Sequence, residues 1–427
     1  MASDQRLIRT GGSRLKHTPP FDGFRGVGVL IVVFYHAELL LRMSGALIVI
    51  DWFFIASGFL ITMIILDERE ATGTNSLRRF YERRILRLFP AMYAMIGTFT
   101  VLMLVLTGVS SDIRDKLGNW WIDALGAATY SYYLVAAIIP GKVTGAIGHT
   151  WSLSLEEQFY FVWPVVLIFV LNKARRTSDR NLIIALITFI ATMFALRMGL
   201  HYVARVATEG EPLGTIRFVD KENPTFAGIL YRIAGVRPDM IAFGCLLAFV
   251  YKYLPDPLSK RASRTLTVMG VVGAVTMFVY MFVANRYQGL RVFGRGVFDL
   301  IGGPAYNVTL VLMGFFILDL YVHPDGPLAR VLSFKPLTWL GVRSYGIYLW
   351  HILPILPFVP VLQSSWGVKK LILGLIAGSA GIAAGIGSFR FIERPFLRLK
   401  ETKFRRPHEE TGAGRDGVPD KPVQRSA

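Results

Sequence analysis

The chain has 427 residues, of which 53% are hydrophobic, 13% aromatic and only 18% charged. This composition is too apolar for a water-soluble protein of this length, so it excludes a soluble enzyme and indicates a polytopic membrane protein. The net charge of +18 would suit nucleic acid. In a membrane protein, however, Lys and Arg mark the cytoplasmic side, so no nucleic-acid partner is expected.

Ten apolar segments reach or approach the length that crosses a bilayer. They are residues 25–43, 47–66, 89–107, 154–171, 181–200, 238–253, 266–284, 297–320, 340–360 and 369–390. We therefore predict an all-α transmembrane bundle of about ten spans within a membrane domain at 20–399. A cytoplasmic tail at 1–19 precedes this domain, and a disordered cytoplasmic tail at 400–427 follows it.

The segment 120–140 is an eleventh candidate span, with Trp and Tyr clusters typical of a membrane interface. With ten spans and a cytoplasmic N-terminus, the inner segments carry more than twice as many Lys and Arg residues as the outer ones. An eleventh span would reverse this distribution after residue 140. We therefore predict that 120–140 is a re-entrant or interfacial segment and that both termini are cytoplasmic.

The first span carries two ionisable side chains, Arg25 and His36, eleven residues apart. This spacing returns both to nearly the same helix face, roughly 16 Å apart along the axis. Ionisable groups are costly at membrane depth, so the pair marks a candidate site. A neutral His36 can take a hydroxyl proton, and Arg25 can pair with a phosphate or carboxylate. A structural histidine and a snorkelling arginine are the alternatives.

Arg84 and Arg87 stand three residues apart before the third span, so they share a helix face. Two guanidinium groups on one face at the cytoplasmic side form a candidate clamp for the phosphates of a nucleotide-bearing donor. The alternative is an ordinary cytoplasmic cluster of basic residues. Pro90 follows them and either kinks the helix or marks its first turn.

The second and fourth spans add Ser57 and Glu156. The small residues 56–58 permit a close helix approach, and Ser57 can hydrogen-bond to another helix. The alternative for this surface is the passage of a pantetheine arm or acyl chain. Ser152, four residues before Glu156, can be a helix N-cap with favourable acids in the first turn. In the other interpretation, Glu156 lies at an outward-facing site, where it binds an acceptor hydroxyl or orients a catalytic group.

Other polar residues near span ends are expected to be structural. Asp51 is expected to be solvated, Asp239 and His351 to be structural and not catalytic, and Glu393 to form a helix-ending salt bridge. The lone Cys245 is expected to pack in the core. Glycine-loop, HExxH, CxxC and GxSxG motifs are absent, and no spacing favours metal ligands, so no metal is expected.

Six motifs, in order, resemble those of the membrane acyltransferase 3 family. They are residues 21–26 with His36, 53–59, 84–87 with Pro90, 150–153 with Glu156, 348–351 and 393–395. The resemblance runs from about residue 20 to 399. Any one motif is weak, but six in order are specific. Phe24 stands where Leu is frequent in the family, and Glu38 has no assigned role.

The resemblance implies a ten-span bundle that transfers an acyl group, usually acetyl from acetyl-CoA, to a hydroxyl of a sugar, a lipid-linked glycan or a similar acceptor. Acyl-CoA is then a donor substrate and not a permanently bound cofactor. Some members carry an extracytoplasmic SGNH hydrolase-like domain after the bundle, and we expect this chain to be a stand-alone version. The expected location is the cell membrane, in contact with its lipid.

The expected mechanism gives each site residue a role. Arg84 and Arg87 hold the CoA phosphates at the inner face, and Arg25 orients the thioester end. His36 acts as general base or carries the acyl group, and Glu156 engages the acceptor on the far side. The alternative function is a transporter or flippase whose buried charges line a solute path, although no inverted repeat is visible.

Overall fold

The computed structural model describes residues 19–40, 44–173, 178–206, 229, 233, 235, 237–286, 291–292, 295–296 and 304–403. Within these ranges the regular secondary structure is helical, apart from a two-residue antiparallel pair of strands, Arg291–Val292 with Arg295–Gly296. The predicted all-α bundle is therefore confirmed. The tail at 1–18, the residues after 403 and the start of the predicted span 297–320 lie outside the described residues.

Helices make up most of the described part of the chain. In chain order they are α1 (Pro19–His36), a 3₁₀ turn (Ser44–Leu47), α2 (Ile48–Thr72), α3 (Leu77–Val109), α4 (Ser111–Leu117), α5 (Trp120–Ala128), α6 (Tyr132–Ile138), α7 (Thr150–Lys173), α8 (Ser178–Val206), α9 (Pro238–Tyr253), α10 (Lys260–Arg286), α11 (Pro304–Val322), α12 (Pro327–Leu332), α13 (Lys335–Val342), α14 (Ser344–Trp350), α15 (Ile352–Ile355), α16 (Val359–Ser364), α17 (Gly367–Ser388), a π-helical turn (Phe389–Glu393) and α18 (Arg394–Lys403). Because α18 extends to Lys403, residues 400–403 are helical and do not belong to a disordered tail.

Eight helical segments of the described part are long and apolar enough to cross a membrane, which makes this a multi-pass membrane protein. Two further helices, α1 and α9, have 18 and 16 residues. The helix α9 coincides with the predicted span 238–253, whereas α1 overlaps the predicted span 25–43 only at 25–36. Counting both would give ten. The number ten therefore stays a prediction, while the spanning bundle itself is confirmed.

Helix α3 begins much earlier than the predicted span at 89–107. The Ser76 side chain accepts a hydrogen bond from the backbone N–H of Arg79 and so caps the helix at Leu77. Pro90 lies in the helix interior and does not end it. Arg84 and Arg87 are therefore held on a continuous helix of 33 residues.

The segment 120–140 does not form a spanning helix. It contains two short helices of 9 and 7 residues, and Tyr130 between them has a φ of 50°. At 1.5 Å per residue neither helix approaches the roughly 30 Å of a bilayer core. The buried Asp123 carboxylate holds the turn together. It accepts hydrogen bonds from the Tyr132 hydroxyl (2.7 Å) and from the backbone N–H of Thr144 (2.8 Å).

Helices α2 and α9 pack at backbone distance. A Cβ atom at Gly58 would lie 1.9 Å from the Ile241 carbonyl oxygen, and one at Gly244 would lie 2.0 Å from the Ile55 carbonyl oxygen. Only glycine fits at either position. The close approach predicted from the small residues 56–58 is therefore present, and it fixes the face of α2 that carries Ser57.

Asp51 is fully buried, so the prediction that it is solvated was wrong. Its carboxylate forms an ion pair with Arg237 (2.6 Å) and accepts a hydrogen bond from the Tyr306 hydroxyl. A second buried pair, Arg197 with Asp239 (3.1 Å), lies on the neighbouring helices α8 and α9. A charge this deep needs a partner, and these partners come from distant parts of the sequence.

Candidate functional site

A cavity of about 470 Å³ opens between α1, α2, α3, α7, α14 and the turn that follows α17. Five of the six residues predicted for the site line it. They are Arg25, Ser57, Arg84, Arg87 and Glu156. Aromatic and aliphatic side chains make up most of the remaining wall. The cavity therefore has the composition of a small-molecule site, with an apolar wall and a few converging polar groups.

Arg84 projects from α3 toward two acceptors on α7. Its guanidinium donates two hydrogen bonds to the Glu157 carboxylate, at 2.9 and 3.3 Å. The same group lies over the Tyr160 ring, 3.2 Å from its centroid. A paired, stacked arginine is held in one orientation. Arg84 is therefore partly occupied with joining α3 to α7, which the sequence alone did not reveal.

Arg25 and Arg87 have no such partner. Both line the cavity, from α1 and α3 respectively, and neither forms an ion pair or hydrogen bond with another residue in the described part of the chain. Arg87 is repelled by the charges of both Arg25 and Arg84. The Glu393 carboxylate attracts both Arg25 and Arg87 without forming an ion pair with either. Two guanidinium groups without an ion pair, beside a third, make this end of the cavity attractive to a phosphate or another anion.

The acidic pair on α7 has divided roles. Glu157 binds Arg84, whereas Oε1 of Glu156 accepts a hydrogen bond from the Ser57 hydroxyl on α2 (3.1 Å). Glu156 faces the same cavity as the three arginines. The structure therefore brings Glu156 together with the arginine cluster, whereas the sequence argument assigned it to a separate outward-facing site.

Ser152 does not cap α7, because that helix begins two residues earlier, at Thr150. Its hydroxyl lies 2.6 Å from the Tyr348 hydroxyl, and Tyr348 donates a hydrogen bond to the His149 carbonyl oxygen (2.8 Å). Both hydroxyl-bearing side chains line the cavity. They form a polar part of its wall.

His36, the remaining predicted site residue, does not line the cavity. It is half-buried at the C-terminal end of α1, beyond Arg25 and Val29 on the same helix face. Its ring lies against the fully buried His351, with 5.0 Å between the ring centroids. Tyr348 contacts His351 and also lines the cavity, so it connects the cavity with the histidine pair.

Glu393 is a site residue that the sequence argument missed, having been interpreted as part of a helix-ending salt bridge. It is buried, lines the cavity and accepts a hydrogen bond from Ser388 (3.3 Å). It closes the π-helical turn Phe389–Glu393, a feature frequent at functional sites. The sequence signal that could have identified Glu393 is an acidic residue at the inner end of an apolar span, three residues after the basic Arg390.

Among the described residues, no group of three or more His, Cys, Asp or Glu side chains is placed to hold a metal ion. The polar groups at and beside the cavity are arginine, carboxylate, hydroxyl and imidazole groups. Such groups bind anions and move protons.

The family model described as an acyltransferase domain matches residues 20–389. The chain belongs to this family. The resemblance to the membrane acyltransferase 3 family is thus confirmed over most of the chain, and all six predicted site residues fall within the matched region.

Relatives of the chain within the acyltransferase family include two bacterial proteins. Peptidoglycan O-acetyltransferase OatA of Listeria monocytogenes is 28% identical over 403 residues, which are 92% of this chain and 58% of that protein. O-acetyltransferase OatA of Staphylococcus aureus (strain MRSA252) is 30% identical over 414 residues, which are 92% of this chain and 60% of that protein. The chain thus spans about three fifths of the length of these curated relatives. No solved structure matches it.

Proposed function

We propose that this protein is an integral-membrane O-acetyltransferase that moves acetyl from a cytoplasmic acetyl-CoA to a hydroxyl of a cell-wall glycan. The observation that carries the proposal is the pair of unpartnered guanidinium groups, Arg25 and Arg87, in an apolar cavity of an acyltransferase-family protein. The relatives' names make peptidoglycan the first acceptor to test.

The donor's phosphates bind at the arginine cluster. Arg25 and Arg87 supply charge-assisted hydrogen bonds to phosphate oxygens, and Arg84 adds its positive field while it stays paired with Glu157. The apolar wall beyond the arginines accommodates the thioester arm. On its way to His36 the acetyl end passes Tyr348, which lines the cavity and contacts His351, the neighbour of His36.

His36 then acts on the acceptor. Its Nε2 takes the proton of the acceptor hydroxyl while the hydroxyl oxygen bonds to the thioester carbonyl carbon. The carbon–sulfur bond breaks, and His36 returns the proton to the CoA thiolate, which leaves as the thiol. In a second order of events, Nε2 attacks the thioester carbonyl carbon, the carbon–sulfur bond breaks and the CoA thiolate leaves. The acceptor oxygen then bonds to the acetyl carbon, the bond from that carbon to Nε2 breaks, and the hydroxyl proton ends on the thiolate.

Glu156 binds a hydroxyl or amide of a substrate through its carboxylate, which Ser57 holds in position (3.1 Å). A carboxylate among arginines is also suited to repel a second anion once the donor has bound. The cytoplasmic side of the donor follows from the Lys and Arg distribution, which favours the loop that precedes Arg84 as an inner loop.

Transfer by the purified protein is the direct test. Protein in lipid nanodiscs is incubated with radiolabelled acetyl-CoA and with peptidoglycan glycan strands that mild base has freed of acetyl esters. We expect base-labile label on the glycan, an added acetyl mass by mass spectrometry and an equal amount of CoA thiol. His36→Gln should reduce the rate at least 100-fold, the lower limit typical of general acid–base catalysis.

His323→Gln is the matched control, because His323 lies outside the cavity and bonds to Ser263 and Asp319. It should retain transfer. Full transfer by a folded His36→Gln variant would contradict the proposed role of His36. A wild-type protein that cleaves no thioester under any of these conditions, but moves the glycan between leaflets, would support a flippase instead.

A further inference from the structure

Three imidazole rings meet beside the cavity, and each comes from a different element. His36 ends α1, His351 lies between α14 and α15, and His149 directly precedes α7. The ring centroid of His351 lies 5.0 Å from that of His36 and 5.2 Å from that of His149. The hydrogen-bond partners of the ring nitrogens assign the proton positions.

His351 has its proton on Nδ1. This nitrogen lies 2.6 Å from the Tyr348 carbonyl oxygen and 3.2 Å from the Ile347 carbonyl oxygen. Carbonyl oxygens only accept hydrogen bonds, so Nδ1 must be the donor. His351 is 0% exposed, and a second proton would place a charge in a buried site without a carboxylate partner. Its Nε2 is therefore an acceptor.

His36 then has its proton on Nδ1 as well. This nitrogen lies 2.9 Å from the Val32 carbonyl oxygen and 3.3 Å from Nε2 of His351, and both of these atoms are acceptors. The other nitrogen, Nε2, carries the lone pair. It has no hydrogen-bond partner among the described residues and is not one of their fully enclosed polar atoms. Nε2 of His36 is therefore partly accessible and free of a protein partner within the described ranges.

We infer that His351 is a positioning residue that accepts the Nδ1–H of His36 and so presents Nε2 of His36 as base or nucleophile. The inference rests on the proposed function, in which His36 does the chemistry. When Nε2 takes a proton, the bond from Nδ1 to His351 becomes charge-assisted and strengthens. An aspartate holds the catalytic histidine of a serine protease in the same way, whereas here the holding group is a neutral imidazole.

The surrounding groups leave this arrangement undisturbed. His149 has its Nε2 3.1 Å from the Leu349 carbonyl oxygen, so it donates there and does not compete for His36. Glu38, the nearest acid along the chain, forms an ion pair with Lys370 (2.9 Å). The Tyr35 ring packs edge-on against the His36 ring, with 5.5 Å between the ring centroids.

Nitrogen NMR of the wild-type protein tests the assignment without any activity assay. Protein labelled with ¹⁵N-histidine is placed in lipid, and His36→Gln identifies the His36 signals. We expect the Nδ1–H tautomer for His36, with its imidazole proton close to the unprotonated nitrogen of a second histidine. An Nε2–H tautomer for His36 would overturn the inference.

Two variants test the consequence for catalysis. His351→Leu removes the acceptor and should lower kcat roughly 100-fold, the effect of a small misplacement of a reacting group, with KM for acetyl-CoA unchanged. His351→Gln retains an oxygen that can accept from Nδ1 of His36 and should recover at least a tenth of the wild-type kcat. Wild-type kcat in a folded His351→Leu variant would also overturn the inference.

The two proposals fail in different ways. If the wild-type protein shows no acetyl transfer, the proposed function fails whatever the tautomer. If transfer occurs and requires His36, but His36 carries its proton on Nε2 or does not depend on His351, only the positioning role fails. The tautomer measurement is informative even if His351→Leu does not fold.

Discussion

Ser57 and Glu156 join two membrane helices across the wall of the cavity. The Ser57 hydroxyl on α2 donates to Oε1 of Glu156 on α7 over 3.1 Å, and the position of α2 is itself fixed by its glycine contact with α9. A hydroxyl that was expected to serve helix packing thus orients a carboxylate beside the arginine cluster. The small-residue segment of α2 is part of the site as well as part of the packing.

The Ser57→Ala variant removes this hydrogen bond and leaves Glu156 free to rotate. One hydrogen bond contributes about 1 kcal/mol, so we expect a roughly fivefold lower kcat/KM for the glycan acceptor. KM for acetyl-CoA should stay unchanged. Both constants are measured by steady-state kinetics in which the concentration of each substrate is varied in turn. Thr98→Ala is the control, because the Thr98 hydroxyl bonds to Ala94 within its own helix. A donor-side defect in Ser57→Ala would contradict this role.

The two arginines of α3 should respond differently to substitution. Arg84→Gln removes the pair with Glu157, whose side chains are 20% and 14% exposed, and should destabilise the fold by about 1–3 kcal/mol, less than a fully buried pair would. Arg87→Gln removes an unpaired charge and should not lower stability. Thermal unfolding in nanodiscs measures the stability of both variants, and Arg78→Gln, at an exposed position, is the control. Equal losses for both variants would show that Arg87 has a structural partner.

Gly58 offers a test of the helix contact that positions Ser57. A Cβ at this position would lie 1.9 Å from a backbone oxygen of α9, so Gly58→Ala forces the two helices apart. We expect a lower melting temperature and a loss of transfer activity. Gly97→Ala is the matched control on α3, where a Cβ would meet no atom within 4 Å. It should fold as well as the wild type or slightly better, because alanine favours helix.

The Arg25–His36 spacing illustrates what a sequence can predict in such a protein. Helical periodicity correctly put both residues on one face of α1. The same reasoning put Arg84 and Arg87 on one face of α3, and both line the cavity. Charge distribution predicted that 120–140 would not span the membrane, which agrees with its two short helices.

Partners that are distant in sequence could not be predicted. Periodicity specifies a helix face but not which helix lies opposite. His351, 315 positions from His36, was therefore interpreted only as a structural residue. The burial of Asp51 was missed for the same reason, because its partner Arg237 is 186 positions away. No site role was predicted for Glu157, the neighbour of Glu156, although Glu157 is the residue that binds Arg84.

Membrane orientation can be measured with single cysteines. Cys245 is buried and is the only cysteine in the chain, so Cys245→Ala provides a cysteine-free background. Thr74→Cys and Lys142→Cys place thiols at exposed positions on loops predicted to lie on opposite sides. A membrane-impermeant maleimide added to intact cells should label Cys at 142 and not at 74. The reverse pattern would place the arginine end of the cavity outside the cell.

The central claim is that the arginine-lined cavity binds the acyl-CoA donor, and equilibrium binding tests it most directly. Isothermal titration calorimetry measures the Kd of acetyl-CoA for nanodisc-embedded protein. The wild type is compared with the double variant Arg25→Gln/Arg87→Gln and with Arg78→Gln as control. Charge-assisted hydrogen bonds contribute about 1.5–3 kcal/mol each, so the double variant should bind roughly 100-fold more weakly or worse. The control should match the wild type. An unchanged Kd in the folded double variant would contradict the claim.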